Sequence, residues 1–318
     1  MKYNPQIPIL ITSADSAFAM PCAVMLRSVA DNLTWTPYAH AIVVDVGLTA
    51  SDRHGIRKSL RGTPLNVEFL VLEPELLDGL KVDLHVSKAT YARLHAIDLL
   101  TGRCERAIYV DSDFVVLRDI GELWELPLQG NAIAAVQDSL AGLAGADMGL
   151  MHREYWKIPD ECPCFNAGLM VIDVNRWITE RIGLRALDLI VQHPEKIRWW
   201  DQDALNILTA GKFLQIDPVW NVQPHAFMRP IADKSTWTLE TISRCISQPR
   251  AIHFAGGRKP WAGNGIVWGG DYFMRYLYRT AWRNRVPNAP WLKPKFGLGV
   301  QIRRLAKRIG ARRKELRK

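Results

Sequence analysis

Four short apolar runs within the first 110 residues alternate with stretches whose apolar residues recur at helical spacing, and this alternation constrains the fold most strongly. Residues 7–12, 41–46, 65–72 and 107–110 read as strands, and 17–32, 51–60 and 90–100 as helices between them, with Thr90 as a cap or first-turn residue. A chain ordered strand, helix, strand, helix buries its strands best as a parallel sheet covered by helices, so the class is α/β. Beyond residue 113 the alternation loosens. Strands are predicted at 132–136, 169–174, 213–216 and 251–254, helices at 174–191 and after Asp201, and a glycine-rich loop at 142–149, which points to a sheet of mixed direction.

The fourth strand run ends abruptly in Asp111-Ser112-Asp113. Ligands of an open α/β sheet bind beyond the carboxyl ends of its strands, where residues 12–18 would also lie. Two aspartates one residue apart on a rigid strand end can face one ion, and hard oxygen ligands suit Mg²⁺ or Mn²⁺. Such ions commonly neutralise a diphosphate, so a nucleotide-linked substrate is the first functional reading. Taken alone, the triplet also reads as two solvated loop carboxylates.

Further segments stand around it in a set order: Ile11-Thr12-Ser13-Ala14-Asp15-Ser16-Ala17-Phe18 and Thr90-Tyr91-Ala92-Arg93-Leu94 before it, and Phe165-Asn166-Ala167-Gly168-Leu169, Trp200-Asp201-Gln202-Asp203 and His253-Phe254-Ala255-Gly256-Gly257-Arg258-Lys259-Pro260-Trp261 after it. With the Asp-Ser-Asp triplet they resemble glycosyltransferase family 8 over most of the chain, a family that includes bacterial lipooligosaccharide galactosyltransferases and glycogenin. The resemblance implies one GT-A type domain, a Rossmann-like mixed sheet flanked by helices, that uses a UDP-sugar and Mn²⁺ (Mg²⁺ as the alternative) and retains anomeric configuration. It implies Asp111, Asp113 and His253 as metal ligands. It implies donor contacts from Thr12, Ala14, Asp15, Phe18, Arg93, Asp111, Ser112, Asp113, Asp138, Asn166, Gly168, Gly256 and Lys259. Catalytic roles fall to Gln202, Asp201 and Lys259, the last as a charge beside the leaving UDP.

Several of these residues keep a second reading. Phe18 either covers the uracil or packs in the core, and the register of Asp15 is open by one residue. Arg93 reads as a phosphate or sugar ligand, or as one half of a helix-surface ion pair. The Asp201-Gln202-Asp203 segment suits a helix start, a role compatible with catalysis. Gln202 acts either as nucleophile or as a charge stabiliser, and a front-face displacement is favoured because an amide is a poor nucleophile. Trp199, Trp200, Trp220 and Trp261 read as an acceptor platform or as core aromatics.

Charge separates the chain into two parts. From Trp282 to Lys318 there are thirteen Lys or Arg and one acid, Glu315, so a chain of net charge +9 leaves about −3 on the remainder. The expected division is a catalytic body over 1–281 and a basic tail over 282–318. Pro287, Pro290 and Pro294 precede a segment with Ile302, Leu305, Ile309 and Leu316 on one face, and Trp282, Trp291 and Phe296 stand before it. An anionic membrane surface is the expected partner of that tail. Five cysteines at irregular spacing argue against a disulfide framework, and Cys162-Pro163-Cys164 lacks a second ligand pair at zinc-finger spacing. With no signal-type leader and no apolar run of spanning length, the expected location is the cytoplasm, on the inner face of the cell membrane. UDP-glucose or UDP-galactose and a glycan acceptor, lipopolysaccharide or another lipid-linked saccharide, are the expected partners. The competing readings are a nucleic-acid-binding protein working through the tail, and a catalytically silent UDP-sugar-binding relative.

Overall fold

The computed structural model describes residues 3–73, 76, 89–227, 234–262 and 267–285. Strand β1 (Ile9–Ala14), helix α1 (Ala19–Asn32), β2 (Ala39–Asp45), α2 (Ala50–Ser59) and β3 (Leu65–Val71) follow the predicted alternation within two residues at each end. Helix α3 (Ala89–Ala96) then gives way to a 3₁₀ turn over Asp98–Leu100 before β4 (Arg106–Val110). Local chemistry sets these limits. Thr49 and Asp52 make a reciprocal capping box at the start of α2, with Thr49 Oγ1 accepting from Asp52 N at 3.1 Å and Asp52 Oδ2 accepting from Thr49 N at 3.0 Å.

The second half begins with the short β5 (Phe114–Val116) and α4 (Gly121–Trp124), followed by β6 (Ile133–Gln137) and β7 (Phe165–Asp173). After these come α5 (Val174–Thr179), α6 (Ile182–Gln192), α7 (Trp200–Thr209), β8 (Leu214–Gln215), α8 (Leu239–Ser247), β9 (Ala251–His253) and α9 (Gly270–Leu277). Seven strands form one sheet in the order β3-β2-β1-β4-β7-β6-β8. β1 pairs in parallel with β2 and β4, whereas β7 lies antiparallel between β4 and β6, so the sheet is mixed as expected. β1 and β4 are buried almost throughout, and so are the apolar residues of α1 that cover them.

Two local expectations are corrected. The helix predicted at 174–191 is broken, because Arg181 adopts φ of +54° and the chain redirects between α5 and α6. Just past the break α6 packs closely on α3, where a Cβ on Gly183 would meet the Leu94 carbonyl at 2.3 Å. The strand predicted at 169–174 begins four residues earlier, because a register shift between Ala135 and Val136 lets Asn166 and Phe165 keep pairing with β6. β5 and β9 form a second, two-stranded antiparallel sheet in which Phe114 stands opposite His253. That ribbon carries the chain's acidic triplet to its distant histidine.

All five cysteines are free thiols. Among the described residues no helix is long and apolar enough to cross a membrane. Trp282 packs onto α2, its ring filling the space where a Gly55 Cβ would stand. Residues 286–318, with Trp291, Phe296 and the predicted interfacial helix, lie outside the described residues.

Candidate active site

A cavity of about 610 Å³ opens at the carboxyl ends of β1 and β4. Its size is that of a small-molecule site. Asp111 leaves β4 with its backbone N–H donating to Gly168 O at 2.8 Å, so the acidic triplet is fastened to β7. Phe254 N in turn donates to Asp113 O at 3.0 Å, which fastens the triplet to the β9 end. His253 Nε2 consequently stands 3.3 Å from Asp113 Oδ1 and 3.9 Å from Asp111 Oδ2. One ligand atom from each of the three lies within 4.8 Å of the others, the single such group among the described residues.

Each ligand is held by a partner. Tyr109 Oη donates to Asp111 Oδ1 at 2.8 Å, and Arg93 Nη2 lies 3.0 Å from the same oxygen. Lys259 Nζ donates to Asp113 Oδ2 at 2.6 Å and to Phe254 O at 2.7 Å. The His253 ring stacks on Phe114, with centroids 4.3 Å apart, and its Nδ1 is 3.1 Å from Asn221 Oδ1. Burial raises the Asp111 carboxyl more than Arg93 lowers it, and nearby Asp113 adds to the rise. Burial would raise Asp113 too, but Lys259 and His253 outweigh it and hold that carboxyl well below the usual range. Two acidic oxygens and an imidazole nitrogen so placed fit a divalent cation of the Mn²⁺ type.

A second layer lies beside the first. Arg93 donates through Nη1 to Ala167 O at 2.7 Å and through Nε to Thr90 O at 3.1 Å, and Asp201 Oδ2 sits 2.6 Å from that Nε. Arg93 is therefore a buried clamp, not a helix-surface ion pair. Burial pushes the Asp201 carboxyl up to about 6 although Arg93 opposes the shift. Gln202 Oε1 accepts from Asn166 Nδ2 at 3.1 Å and from Ala167 N at 3.2 Å. Asp138 Oδ2 accepts from Asn166 Nδ2 at 2.8 Å, while Asp138 Oδ1 takes the backbone N–H groups of Leu140 and Ala141, each at 2.8 Å. The residue before Asp201, Trp200, holds φ of +48° at the start of α7, a strained conformation for a bulky side chain.

The cavity wall includes Phe18, Ser112, Asp138, Asn166, Gly168, Gly256 and Lys259 together with the groups above. Gly256 takes φ of +80°, which turns the chain so that Gly257, with open space beyond it, and Lys259 face inward. Phe18 is half-buried at the rim, edge-on to Trp261 at 6.1 Å. Thr12, Ala14 and Asp15 do not line the cavity. Thr12 Oγ1 instead contacts Ser112 Oγ at 3.2 Å and Asp15 Oδ1 accepts from Phe18 N at 3.0 Å, so these two residues brace the site while Ser13 and Phe18 of the same segment line it. Of the four tryptophans, Trp199 and Trp200 reach the wall, whereas Trp220 is a core residue.

Sequence reasoning missed Tyr109, Asn221 and His225. Tyr109 falls in the apolar period of β4, and nothing in its spacing marks a hydroxyl aimed at Asp111. Asn221 and His225 come from a short-turn segment over 218–227 whose position depends on Val222 N donating to Ala251 O at 2.9 Å. Ser139 Oγ holds His225 Nε2 at 3.0 Å, and burial lowers that imidazole despite nearby Asp138.

A sequence profile described as Glycosyl transferase family 8 matches residues 9–265. General stress protein A of Bacillus subtilis (strain 168) is 26% identical over 280 residues, 87% of this chain and 95% of that protein. Lipopolysaccharide 1,2-glucosyltransferase of Escherichia coli (strain K12) is 27% identical over 202 residues, 63% of this chain and 57% of that enzyme. The galactosyltransferase LgtC, solved in complex with donor and acceptor sugar analogs, shares the fold at a TM-score of 0.74 and 24% identity, over 87% of this chain and 100% of that one.

Proposed function

The chain belongs to glycosyl transferase family 8 and is a glycosyltransferase, and from that premise we propose that it moves glucose or galactose from UDP to a glycan hydroxyl with retention of configuration. The observation that carries this reading is the convergence of Asp111, Asp113 and His253 on one wall of the cavity that Asp138, Asn166, Asp201 and Gln202 also line. Asp111, Asp113 and His253 would hold Mn²⁺, which when bound neutralises the diphosphate of the donor.

The chain's own residues then divide the work. Lys259 is a fixed positive charge beside Asp113, placed to stabilise the departing UDP. Gly256 and Gly257 leave room for backbone to approach a phosphate. Asp138, Asn166 and Asp201 offer acceptors and an amide to sugar hydroxyls. Gln202 Oε1 already receives two hydrogen bonds, from Asn166 and Ala167, so its electron density is committed and its role is to stabilise charge at the anomeric centre. In the front-face displacement this favours, UDP leaves, the acceptor hydroxyl attacks from the same side, and a departing phosphate oxygen takes its proton.

The Escherichia coli relative is by name a lipopolysaccharide glucosyltransferase, which supports a hexose donor and a lipid-linked acceptor here as well. The thirteen basic residues after 281 support attachment to an anionic membrane face, where each Lys or Arg near the surface contributes about 1 kcal/mol. Incubating the protein with UDP-sugars and Mn²⁺, with and without glycan acceptors, tests the activity through UDP release. UDP-glucose or UDP-galactose should turn over, Asp113→Asn should abolish that turnover while keeping the fold, and undiminished turnover by the variant would remove Asp113 from the mechanism.

A further inference from the structure

A chain of side-chain hydrogen bonds runs from the sugar side of the cavity to the histidine, and its direction is fixed at one end. Asp138 Oδ2 accepts from Asn166 Nδ2 at 2.8 Å, and a carboxylate can only accept. Gly168 N donates to Asn166 Oδ1 at 3.1 Å, and a backbone N–H can only donate. These two contacts leave Asn166 one orientation, oxygen toward Asn221. Asn221 must then turn its nitrogen to Asn166, and Asn221 Nδ2 donates to that Oδ1 at 2.9 Å. Its own oxygen is left facing His253 Nδ1 at 3.1 Å.

We propose that Asn221 is a positioning residue that fixes the tautomer of His253: it accepts the Nδ1 hydrogen and so leaves the Nε2 lone pair directed at the cation held with Asp111 and Asp113. The order is Asp138 to Asn166 to Asn221 to His253, so the carboxylate that faces the sugar sets the ligand state of the imidazole three hydrogen bonds away. Asn221 is fully buried and cannot swing out to water. Its neighbour Val222 is bonded on both sides, N–H to Ala251 O and carbonyl to His253 N, each at 2.9 Å, so the backbone carrying Asn221 moves with β9. A metal-bound histidine commonly directs its other ring nitrogen to such an acceptor, and loss of the acceptor costs about 10–100-fold in metal affinity.

The inference rests on the metal reading proposed above, and the test separates the two. Nitrogen-15 spectra of the Mg²⁺-loaded protein report which nitrogen of His253 carries hydrogen, and Mn²⁺ titrations followed by electron paramagnetic resonance report affinity. The wild type should show a protonated Nδ1. Asn221→Leu, of similar volume but with no acceptor, should bind Mn²⁺ about 10–100-fold more weakly. Asn221→Asp keeps the acceptor and should bind Mn²⁺ more tightly than Asn221→Leu, even though a buried carboxylate makes it the less thermally stable variant. Because the added carboxylate charge alone favours a cation, the deciding outcome is Asn221→Leu: Mn²⁺ affinity equal to the wild type's would overturn the proposal. Wild-type protein that binds Mn²⁺ with the hydrogen on Nε2 overturns the tautomer assignment and leaves the metal site standing. Wild-type protein that binds no Mn²⁺ overturns both.

Discussion

Replacing Gly168 by alanine tests whether the imidazole is held where a cation needs it. A Cβ at this position of β7 would lie 2.5 Å from His253 Cε1, 2.8 Å from Nδ1 and 2.9 Å from Asn166 Oδ1. Ordinary contact begins near 3.4 Å, so the ring must retreat by about 0.9 Å. It is stacked on Phe114 at 4.3 Å and bonded to Asn221 at 3.1 Å, so that retreat disturbs the stack, the hydrogen bond or the strand itself. Overpacking of this kind costs about 1–3 kcal/mol of stability. A metal–ligand distance tolerates only about 0.2 Å, so the displaced ring should also lower Mn²⁺ affinity by at least about 10-fold. Thermal denaturation and a Mn²⁺ titration followed by electron paramagnetic resonance read the two effects. A variant with unchanged Mn²⁺ affinity would refute the argument that His253 is a ligand positioned by the absence of a side chain at 168.

Asp203 is a buried carboxyl that accepts from Arg198 N and Trp199 N, and burial raises it from 3.8 to about 6 against those bonds. Between those pH values the folded state holds a proton that the unfolded state has lost, so stability falls as pH rises through the window, by about 3 kcal/mol for this group. Asp203→Asn keeps an acceptor for both amides and should make stability fall less steeply with pH than in the wild type, while Asp201, raised to about 6 as well, keeps its own contribution. Denaturant unfolding from pH 4 to 7 measures this, and identical slopes in the two proteins would contradict it. Deleting residues 298–318 should weaken sedimentation with anionic vesicles at low salt while leaving donor hydrolysis intact. Equal vesicle binding by full-length and truncated protein would dispose of the membrane role of the tail.

The tail and the body stand in different relation to the sequence. Charge is additive along a chain, so the basic excess after residue 281 is legible without any structure. Strand and helix periodicity is local as well, which is why the first three strands and two helices match the reading within two residues. The break between α5 and α6 is not legible, because it turns on the positive φ of Arg181, a residue that local spacing does not mark, and the close approach of α3 to Gly183 just beyond it joins segments distant in sequence. For the same reason the double role of Gly168 is not legible in the sequence: a glycine inside a motif reads as room for a ligand, whereas here a protein side chain fills that room.

What the sequence determined by itself was the set of parts: an α/β core whose apolar runs end in acids, and motifs whose order marks the family. Each of those signals is written in neighbouring residues, through side-chain period and strand-end chemistry. Tertiary structure alone decided how the parts face each other. The β5–β9 pairing sets His253 opposite Phe114 and within 3.3 Å of Asp113, and the turn at 218–221 brings Asn221 behind the ring. Those contacts depend on backbone pairing between remote segments, and the direction of each hydrogen bond in the chain from Asp138 depends on its neighbours, so neither is encoded at any single position.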